Sequence, residues 1–288
     1  MYSDIEQHIS KVTSQNFKIK NRRSLGGGCI NQSYVISDDH HSYFVKTNIA
    51  SLVEMFEAES LGLQQMFNTK TIGIPQVICW GTSGNNSYLV LEYLSIGNRG
   101  NWQEMGKQLA QLHLAKTQNK GFGWEINNTI GSTPQINTWL TNWSDFFTEH
   151  RIGFQLRLGK RNGGYFPKGE KLLEQIPEIL KNHDPKPSLV HGDLWGGNAG
   201  FTQEGTPVIF DPATYIGDRE VDLAMTELFG GFPSQFYQGY NSIYPLDSGY
   251  QKRKILYNLY HILNHFNLFG SGYESQANRM IEQLILNN

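Results

Sequence analysis

The sequence His191-Gly-Asp-Leu-Trp-Gly-Gly-Asn198 is followed by the apolar run Pro207-Val-Ile-Phe210 and then by Asp211. A short strand before the first stretch would present Asp193 and Asn198 on a loop, and a second strand would present Asp211 at its end. Carboxylate and amide oxygens are ligands that Mg²⁺ prefers, and an Asp beside a hydroxyl group can act as a base. We therefore predict a phosphotransfer centre in which Asp193 is the base and Asn198 and Asp211 are metal ligands.

The order of these residues matches the catalytic segment of protein kinases. Those enzymes use a catalytic-loop Asp, a later Asn and a metal-binding Asp beyond a hairpin. This chain has His-Gly-Asp where they have His-Arg-Asp, and Asp-Pro where they have Asp-Phe-Gly. Because Asp, Gly and Asn are also common turn residues, the loop alone does not establish the chemistry. Features earlier in the chain strengthen the interpretation.

The first part of the chain alternates short β-type runs with turn residues, a pattern that predicts a small antiparallel sheet. The predicted strands are 17–23, 33–37, 42–47, 75–80 and 87–92. Three glycines, Gly26, Gly27 and Gly28, separate the first two strands. A glycine turn lets the backbone pass close over a ligand, with its N–H groups facing phosphate oxygens. We predict that this turn covers nucleotide phosphates, and a plain flexible hairpin is the alternative.

Lys46 and Glu59 are predicted to form a buried ion pair. Strand alternation places Lys46 on the ligand side of the sheet, and Glu59 lies in the middle of an apolar stripe at helical spacing. The apolar members of that stripe are Leu52, Phe56, Leu63 and Met66. A carboxylate within an apolar face needs a partner. Kinases position nucleotide phosphates with such a pair, so we assign both residues to ATP binding, and a surface acid on a misassigned helix is the alternative for Glu59.

The β pattern breaks after Glu92 and gives way to helical patterns. We therefore place the domain boundary after Leu94, with a nucleotide-binding lobe in 1–94 and a lobe carrying the catalytic loop and acceptor site in 95–288. In a kinase-like architecture the segment that links the two lobes contacts adenine, and here it would do so through the backbone of Glu92, Tyr93 and Leu94. The predicted fold is α+β and two-lobed, with one helix beside a small antiparallel sheet in the N-terminal lobe and a larger, mainly helical C-terminal lobe.

An acidic segment, Gly217-Asp-Arg-Glu-Val-Asp222, follows Asp211. We predict that Asp222 holds backbone N–H groups of the catalytic loop, which is the stretch 191–198. Asp218 is placed to cap the next helix, and Asp218 and Glu220 either contact the acceptor or only complement the helix N-terminus. The helices predicted in this half are 102–116, 136–159, 168–181, 219–229, 246–269 and 274–286, with a long polar loop at 119–135.

Composition limits the classes of partner and compartment. A chain of 288 residues with 39% hydrophobic content is long enough for a sizeable core, and its formal net charge of -2 gives no reason to expect nucleic acid or a membrane surface as partner. No apolar run reaches the length of a membrane span. The polar start and the presence of only two cysteines, Cys29 and Cys79, predict a cytoplasmic protein.

Several segments in combination resemble the fructosamine kinase, or ketosamine-3-kinase, family. They are GGGCIN (26–31), YFVK (43–46), MFEAE (55–59), LEYL (91–94), LHLAKTQNKGFGW (112–124), IGSTPQIN (130–137), HGDLWGGN (191–198) and GDREVDLAMTELFGGF (217–232). The resemblance implies a protein-kinase-like fold. It also implies phosphorylation by ATP of the third-carbon hydroxyl of a ketoamine sugar, such as a fructosamine or ribulosamine, and a role in protein deglycation.

The family's site residues can be assigned to matching positions of this chain. The implied roles are Asp193 as base, Asn198 and Asp211 as Mg²⁺ ligands, Lys46 as phosphate ligand oriented by Glu59, and Gly26 to Gly28 as the phosphate cover. Trp195 is expected to wall the sugar site. The resemblance thus implies ATP and Mg²⁺ as cofactors and a small-molecule ketoamine or a glycated lysine as substrate, and we expect a monomer.

Two other functions remain open at this stage. Another small-molecule kinase of the same fold, of the aminoglycoside or choline type, would share the His-Gly-Asp loop but is not expected to carry GGGCIN or IGSTPQIN. A non-catalytic nucleotide-binding scaffold would not need base and metal ligands together. Separately, Cys29 in the glycine turn suggests the hypothesis of a redox-linked dimer through this thiol, with a small residue tolerated in a turn as the alternative.

Overall fold

The computed structural model describes residues 1–26, 30–118 and 120–286. The strands are β1 (Asn21–Leu25), β2 (Gln32–Ser37), β3 (Ser42–Ile49), β4 (Val77–Ser83), β5 (Asn86–Glu92), β6 (Ile96–Gly97), β7 (Asn128–Ile130), β8 (Thr133–Gln135), β9 (Ser188–Val190), β10 (Ala199–Thr202), β11 (Pro207–Ile209) and β12 (Tyr215–Gly217). The α-helices are α1 (Tyr2–Thr13), α2 (Val53–Thr69), α3 (Trp102–Leu114), α4 (Trp143–Phe146), α5 (Phe154–Arg161), α6 (Gly169–Ile179), α7 (Glu220–Leu228), α8 (Ser234–Ile243), α9 (Tyr250–Phe269) and α10 (Glu274–Leu286). Short 3₁₀ turns lie at Ala50–Leu52 and Ser271–Tyr273, and a π-helical segment, Phe147–Gly153, joins α4 to α5.

The chain divides into two compact units. The first contains Met1–Asn101 and Ala199–Pro212, and the second contains Trp102–Asn198 and Ala213–Asn288. The sequence placed the boundary after Leu94, whereas the contacts place it after Asn101. They also assign the β10–β11 hairpin to the first unit, because β10 pairs with β6 as well as with β11.

The first unit is built on a five-stranded antiparallel sheet with the order β1-β2-β3-β5-β4. One face of the sheet forms a core in which Val45 and Val90 pack with Ile5 and Ile9 of α1. The sequence predicted one helix in this unit, which is α2, and did not predict α1. Its apolar residues Ile5, Ile9 and Val12 lie at helical spacing in an otherwise polar segment, and packing of Ile5 and Ile9 on the sheet accounts for the helix.

The second unit is mainly helical, and it contains a helix, α8, that the sequence did not predict. This helix packs closely on α3. A Cβ atom on Gly106 would lie 2.0 Å from the carbonyl oxygen of Phe236, and one on Gly239 would lie 1.9 Å from that of Gln103. Only glycine permits this approach. The segment contains three aromatic residues, one Gly and one Asn, all weak helix formers, so its helicity reflects the contact with α3.

The polar segment 120–135 contains more regular structure than the sequence indicated, and the helix predicted over 136–159 begins later than expected. The loop contains the hairpin of β7 and β8, in which Asn128 pairs with Gln135. The helical stretch begins later, at Trp143, because Asn142 caps α4 by accepting a hydrogen bond from the backbone N–H of Asp145 at 3.1 Å. It then continues through the π-helical segment to Arg161.

The longest helix of the described residues is α9, with 20 residues. It carries several charged and polar side chains along its length. Across 1–26, 30–118 and 120–286, no helix combines the length and the apolar composition needed to cross a membrane.

Candidate active site

Lys46 is the centre of a buried charge cluster in the first unit. Its Nζ donates to Oε1 of Glu59 at 2.7 Å and to Oδ1 of Asp211 at 2.6 Å. The side chain of Glu59 is 8% exposed, whereas that of Asp211 is 57% exposed. The predicted pair of Lys46 and Glu59 is therefore present. The contact of Lys46 with Asp211 was not predicted, because these residues are far apart in the sequence.

The cluster contains one ammonium and two carboxylates. Burial favours the neutral amine of Lys46, but Asp211 and Glu59 outweigh burial and raise the pKa of this lysine above its ordinary value. Burial also raises the pKa of Glu59 to about 7, with Lys46 opposing the shift and Asp211 adding to it. Lys46 therefore stays charged, and a further cation beside the exposed carboxylate of Asp211 would offset the repulsion between the two carboxylates.

Asp211 is presented by a tightly packed strand end. It follows β11 and adopts a φ of 60°, a left-handed conformation that is uncommon for residues other than glycine. Gly73 lies against this strand, donating its N–H to Pro207 at 3.1 Å and accepting from Ile209 at 3.0 Å. A Cβ atom on Gly73 would lie 2.6 Å from the carbonyl oxygen of Pro207. Backbone strain of this kind recurs at functional sites, where surrounding structure maintains it.

Asp193 and Asn198 lie together in the second unit. Asn198 Nδ2 donates to the carbonyl oxygen of Asp193 at 2.8 Å and to its carboxylate Oδ2 at 3.3 Å. The backbone N–H of Asp193 donates to Nδ1 of the buried His191 at 3.2 Å. These bonds fix the loop that the sequence predicted. They also turn Oδ1 of Asn198 away from the Asp193 carbonyl, an orientation suited to a ligand oxygen.

Asp222 anchors the catalytic loop, which confirms its predicted role. Its buried carboxylate accepts from the backbone N–H of His191 at 2.7 Å and of Gly192 at 2.8 Å. Burial favours the neutral acid, but His113, with Nε2 at 3.0 Å, outweighs burial and holds the pKa of Asp222 below its ordinary value. Gly192 has a φ of 82°, and a Cβ there would lie 2.1 Å from the carbonyl oxygen of Ala213. No sequence spacing pointed to His113 as a partner of Asp222.

Asn198 and Asp211 are the residues that could hold Mg²⁺. They supply one amide and one carboxylate, the oxygen ligands that this ion takes. The exposed carboxylate of Asp211 and the orientation of the Asn198 amide fit that role. The assignment of the metal to these residues stays a prediction.

The glycine turn is described only in part. Gly26 is exposed and has open space around its Cβ position. Gly27, Gly28 and Cys29 lie outside the described residues, so the phosphate cover and the thiol hypothesis stay predictions. The second cysteine, Cys79, is buried in the core, and burial raises the pKa of its thiol to about 12.

Some groups of the linking segment 92–94, which we predicted to contact adenine, form hydrogen bonds elsewhere in the first unit. The backbone N–H of Glu92 donates to the carbonyl oxygen of Gln76 at 2.8 Å, so this N–H is used within the first unit. The hydroxyl of Tyr93 accepts from Nη2 of Arg23 at 3.3 Å. Leu94 is half-buried. An adenine contact through the backbone of these residues stays a prediction.

Trp195 projects from the catalytic loop with 40% of its surface exposed. Its ring lies against Gly197, where a Cβ atom would be 2.4 Å from ring carbons. The glycine therefore leaves room for the indole to lie along the loop. An exposed aromatic surface beside Asp193 in the sequence suits the sugar-site role that we predicted for it.

Asp218 and Glu220 are each 1% exposed and are bonded to other side chains of the second unit. Asp218 accepts from the Tyr257 hydroxyl at 2.5 Å and lies 2.6 Å from Nε2 of His183. It also accepts from the backbone N–H of Glu220, the first residue of α7, at 3.0 Å, although the N-cap position is occupied by Arg219 and not by Asp218 as predicted. Glu220 accepts two bonds from Arg253, at 2.7 and 2.8 Å. Acceptor contacts by either carboxylate stay predictions.

Comparisons with known proteins identify the family. Residues 1–287 match the family model described as fructosamine kinase. A Synechocystis protein named as a ketoamine kinase is 55% identical over 286 residues, which cover 99% of this chain and 97% of that protein. A chloroplastic protein from Arabidopsis thaliana, named as a protein-ribulosamine 3-kinase, is 45% identical over 269 residues, covering 91% of this chain and 82% of that protein.

Solved structures agree with this result. The crystal structure of a protein from Haemophilus somnus, named as a fructosamine-3-kinase, has a TM-score of 0.93 at 34% identity and covers 99% of this chain and 98% of that chain. A choline kinase from Streptococcus pneumoniae, at 15% identity and a TM-score of 0.65 with 99% of each chain covered, shares the fold alone. The α+β, protein-kinase-like fold predicted from the sequence is thus confirmed. With matches along almost its whole length, this chain belongs to the fructosamine kinase family.

Proposed function

We propose that this protein uses ATP to phosphorylate the third-carbon hydroxyl of the sugar moiety of a ketoamine. Family membership and the names of the relatives support a fructosamine or ribulosamine as acceptor. The observation that carries the phosphotransfer chemistry is the buried Lys46 ammonium, bonded to both Glu59 and Asp211. A nucleotide-binding scaffold would have no need of this cluster together with a base-bearing loop.

Lys46 binds ATP phosphates, and Glu59 holds its ammonium in place. Asp211 now accepts one of the ammonium's hydrogen bonds, and its exposed carboxylate can yield that position to a phosphate oxygen. Gly26 to Gly28 cover the phosphates, and the backbone of the link after β5 contacts adenine. These residues bind and orient the donor before the chemical step.

Asp193 is the base. It takes the proton of the acceptor hydroxyl at a carboxylate oxygen while the hydroxyl oxygen forms a bond to the γ-phosphorus and the bond to the ADP oxygen breaks. Asn198 and Asp222 hold the loop that carries Asp193. Asn198 and Asp211 hold Mg²⁺, which neutralises charge on the phosphates when bound. The protein therefore contributes mainly positioning and charge stabilisation.

Trp195 forms a wall of the sugar site, and the substrate is a small ketoamine or a glycated lysine. We place the enzyme in the cytoplasm as a monomer that repairs glycated material. A redox-linked dimer through Cys29 is a separate hypothesis. Non-reducing electrophoresis after oxidation tests it, since a Cys29→Ala variant that still dimerises would remove it.

The test is an ATP-consumption assay with Mg²⁺ on a fructosamine, a ribulosamine, an aminoglycoside, choline and a generic protein. We expect turnover of a ketoamine that falls about 10²–10⁴-fold in Asp193→Asn, since general-base catalysis is worth that much. ADP binding by calorimetry should persist in the variant. Turnover of choline or an aminoglycoside alone would assign another acceptor, and no turnover with bound nucleotide would favour the scaffold.

A further inference from the structure

A chain of hydrogen bonds in the second unit ends on the backbone that follows Asp211. It begins at Arg151, which is fully buried in the π-helical segment. Nη2 of Arg151 donates to Oδ1 of Asn137 at 2.8 Å. Nδ2 of Asn137 donates to Oδ1 of Asn128 at 2.8 Å, and Nδ2 of Asn128 donates to the carbonyl oxygen of Thr214 at 2.8 Å. Thr214 comes three positions after Asp211 in the sequence.

A second chain of hydrogen bonds ends one residue earlier, on the carbonyl oxygen of Ala213. The hydroxyl of the buried Tyr260 donates to Oε1 of Gln135 at 2.8 Å. Nε2 of Gln135 then donates to the carbonyl oxygen of Ala213 at 3.0 Å. The same nitrogen donates to Oδ1 of Asn128 at 2.9 Å, so the two chains are joined. Consecutive carbonyl groups, those of Ala213 and Thr214, are thus each held by a side-chain amide, and of these amides Gln135 is buried and Asn128 is half-buried.

The chemistry of Arg151 gives the first chain its direction. A guanidinium can only donate, so the amide of Asn137 must turn its oxygen toward Arg151 and its nitrogen toward Asn128. The same requirement then turns the nitrogen of Asn128 toward Thr214. The rings of Phe146 and Tyr215 lie 4.6 and 4.0 Å from the guanidinium carbon, which stabilises a buried cation.

The segment held by these amides also contacts the catalytic loop. The backbone N–H of Ala213 donates to the carbonyl oxygen of His191 at 2.9 Å. Ala213 therefore has its N–H tied to the loop that carries Asp193 and its carbonyl tied to Gln135. Because Pro212 separates it from Asp211, the held backbone begins two positions after the left-handed residue.

We propose that Asn128 and Gln135 are positioning residues for the metal site. By fixing the carbonyl groups of Ala213 and Thr214, they hold the backbone that leaves Asp211, and with it the direction in which its carboxylate is presented. Neither amide contacts a reacting atom. The proposal rests on the proposed function in one respect, which is that Asp211 binds Mg²⁺.

The test uses Asn128→Asp and Gln135→Glu in the full chain. Each substitution keeps the shape of the side chain but replaces the donating nitrogen with an oxygen that faces a carbonyl group. Calorimetry would measure ADP binding with and without Mg²⁺, and melting temperatures would be recorded for each variant. The matched control is Asn258→Asp. It places a carboxylate at a buried position of α9 that belongs to neither chain of hydrogen bonds.

We expect Mg²⁺ to strengthen ADP binding in the parent and in Asn258→Asp. In the two test variants this gain should fall about 10-fold or more, the size typical of changes beside metal ligands, while metal-free ADP binding stays within about twofold. Kinetics should show a lower kcat with little change in KM for the ketoamine. If a carboxylate variant fails to fold, Gln135→Met removes the donor without a charge and carries the same expectation.

Two outcomes would overturn the proposal in different ways. If Mg²⁺ strengthens ADP binding equally in the parent and in all folded variants, Asn128 and Gln135 do not act on the metal site. The proposed function would then remain intact. If Mg²⁺ does not strengthen ADP binding in the parent, Asp211 has no metal role. The two chains of hydrogen bonds then have no metal site to position. Because neither measurement needs the acceptor, a wrong ketoamine would affect neither.

Discussion

Two clusters of buried charge in this protein differ in whether their partners can be exchanged. In the first unit, the buried Lys46 is bonded to Asp211, a carboxylate that is 57% exposed. In the second unit, the carboxylates of Asp218 and Glu220 are almost fully buried and accept from several donors, among them Arg253. An exposed partner can be replaced by a ligand group at little cost, whereas breaking a buried pair leaves an uncompensated charge. The first cluster is therefore suited to binding and the second to stability.

Asp211→Ala is the strongest way to test the functional side of this comparison. We expect Mg²⁺-dependent ATP turnover to fall by about 10³-fold or more, because the proposed metal ligand is lost, and with it the charge that the metal would place against the transferring phosphoryl group. The melting temperature should change little, since the deleted carboxylate is mostly exposed. Kinetics across a range of Mg²⁺ concentrations, with a thermal melt of the same sample, measure both. Near-normal Mg²⁺-dependent turnover would contradict the metal assignment.

Glu220→Ala tests the structural side. Arg253 would lose a two-bond partner in a buried site, and we expect the free energy of unfolding to fall by about 3–5 kcal/mol. Denaturant titration measures the loss. Asp247→Ala is the control, because Asp247 bonds the same arginine but is 60% exposed, so its removal should cost at most about 1 kcal/mol. Equal losses in the two variants would contradict the distinction between the clusters.

His183 gives the second cluster a pH dependence. Burial favours its neutral form, but the hydrogen bond that its ring donates to Asp218 and the charges of Asp218 and Glu220 outweigh burial and the repulsion of Arg253, so its pKa is raised. Asp247 also faces its ring, at 3.9 Å. Protonated His183 thus stabilises the fold fully below the ordinary pKa near 6.5, and this contribution is lost as pH rises through the raised value.

The comparison of the parent with His183→Gln should therefore show the larger stability difference at pH 6 and a smaller one at pH 9. Each unit of raised pKa corresponds to about 1.4 kcal/mol. Denaturant titrations at several pH values measure this, with His40→Gln on the exposed surface as the control. A difference that grows with pH would contradict the assignment.

The sequence allowed candidate catalytic and nucleotide-binding residues to be predicted because the patterns that indicate them are local. Asp193 and Asn198 share one loop, and Asp211 stands at the end of an apolar run. Lys46 and Glu59 each stood out within one strand or helix. The family resemblance is the source of the predicted acceptor class and of the predicted sugar-site role of Trp195, which no local pattern shows.

Other parts of the molecule were outside the reach of local patterns. Helix α1 buries only two apolar residues, and α8 depends on a close glycine contact with α3. The β10–β11 hairpin joins the first unit through its pairing with β6, although it follows the catalytic loop in the sequence. In each case a contact distant in sequence outweighs a weak intrinsic preference.

The amino-acid sequence by itself determined the fold class and the pairing of Lys46 with Glu59, because strand and helix periods and residue type encode them locally. It also predicted the phosphotransfer residues, whose roles stay predictions. Only the tertiary structure decided which carboxylates are exposed and which are enclosed: that of Asp211 is mostly exposed, whereas those of Asp218 and Glu220 are buried. It also decided that Asn128 and Gln135 reach the backbone after Asp211. The physical reason is that burial and hydrogen-bond direction depend on residues brought together from distant parts of the chain.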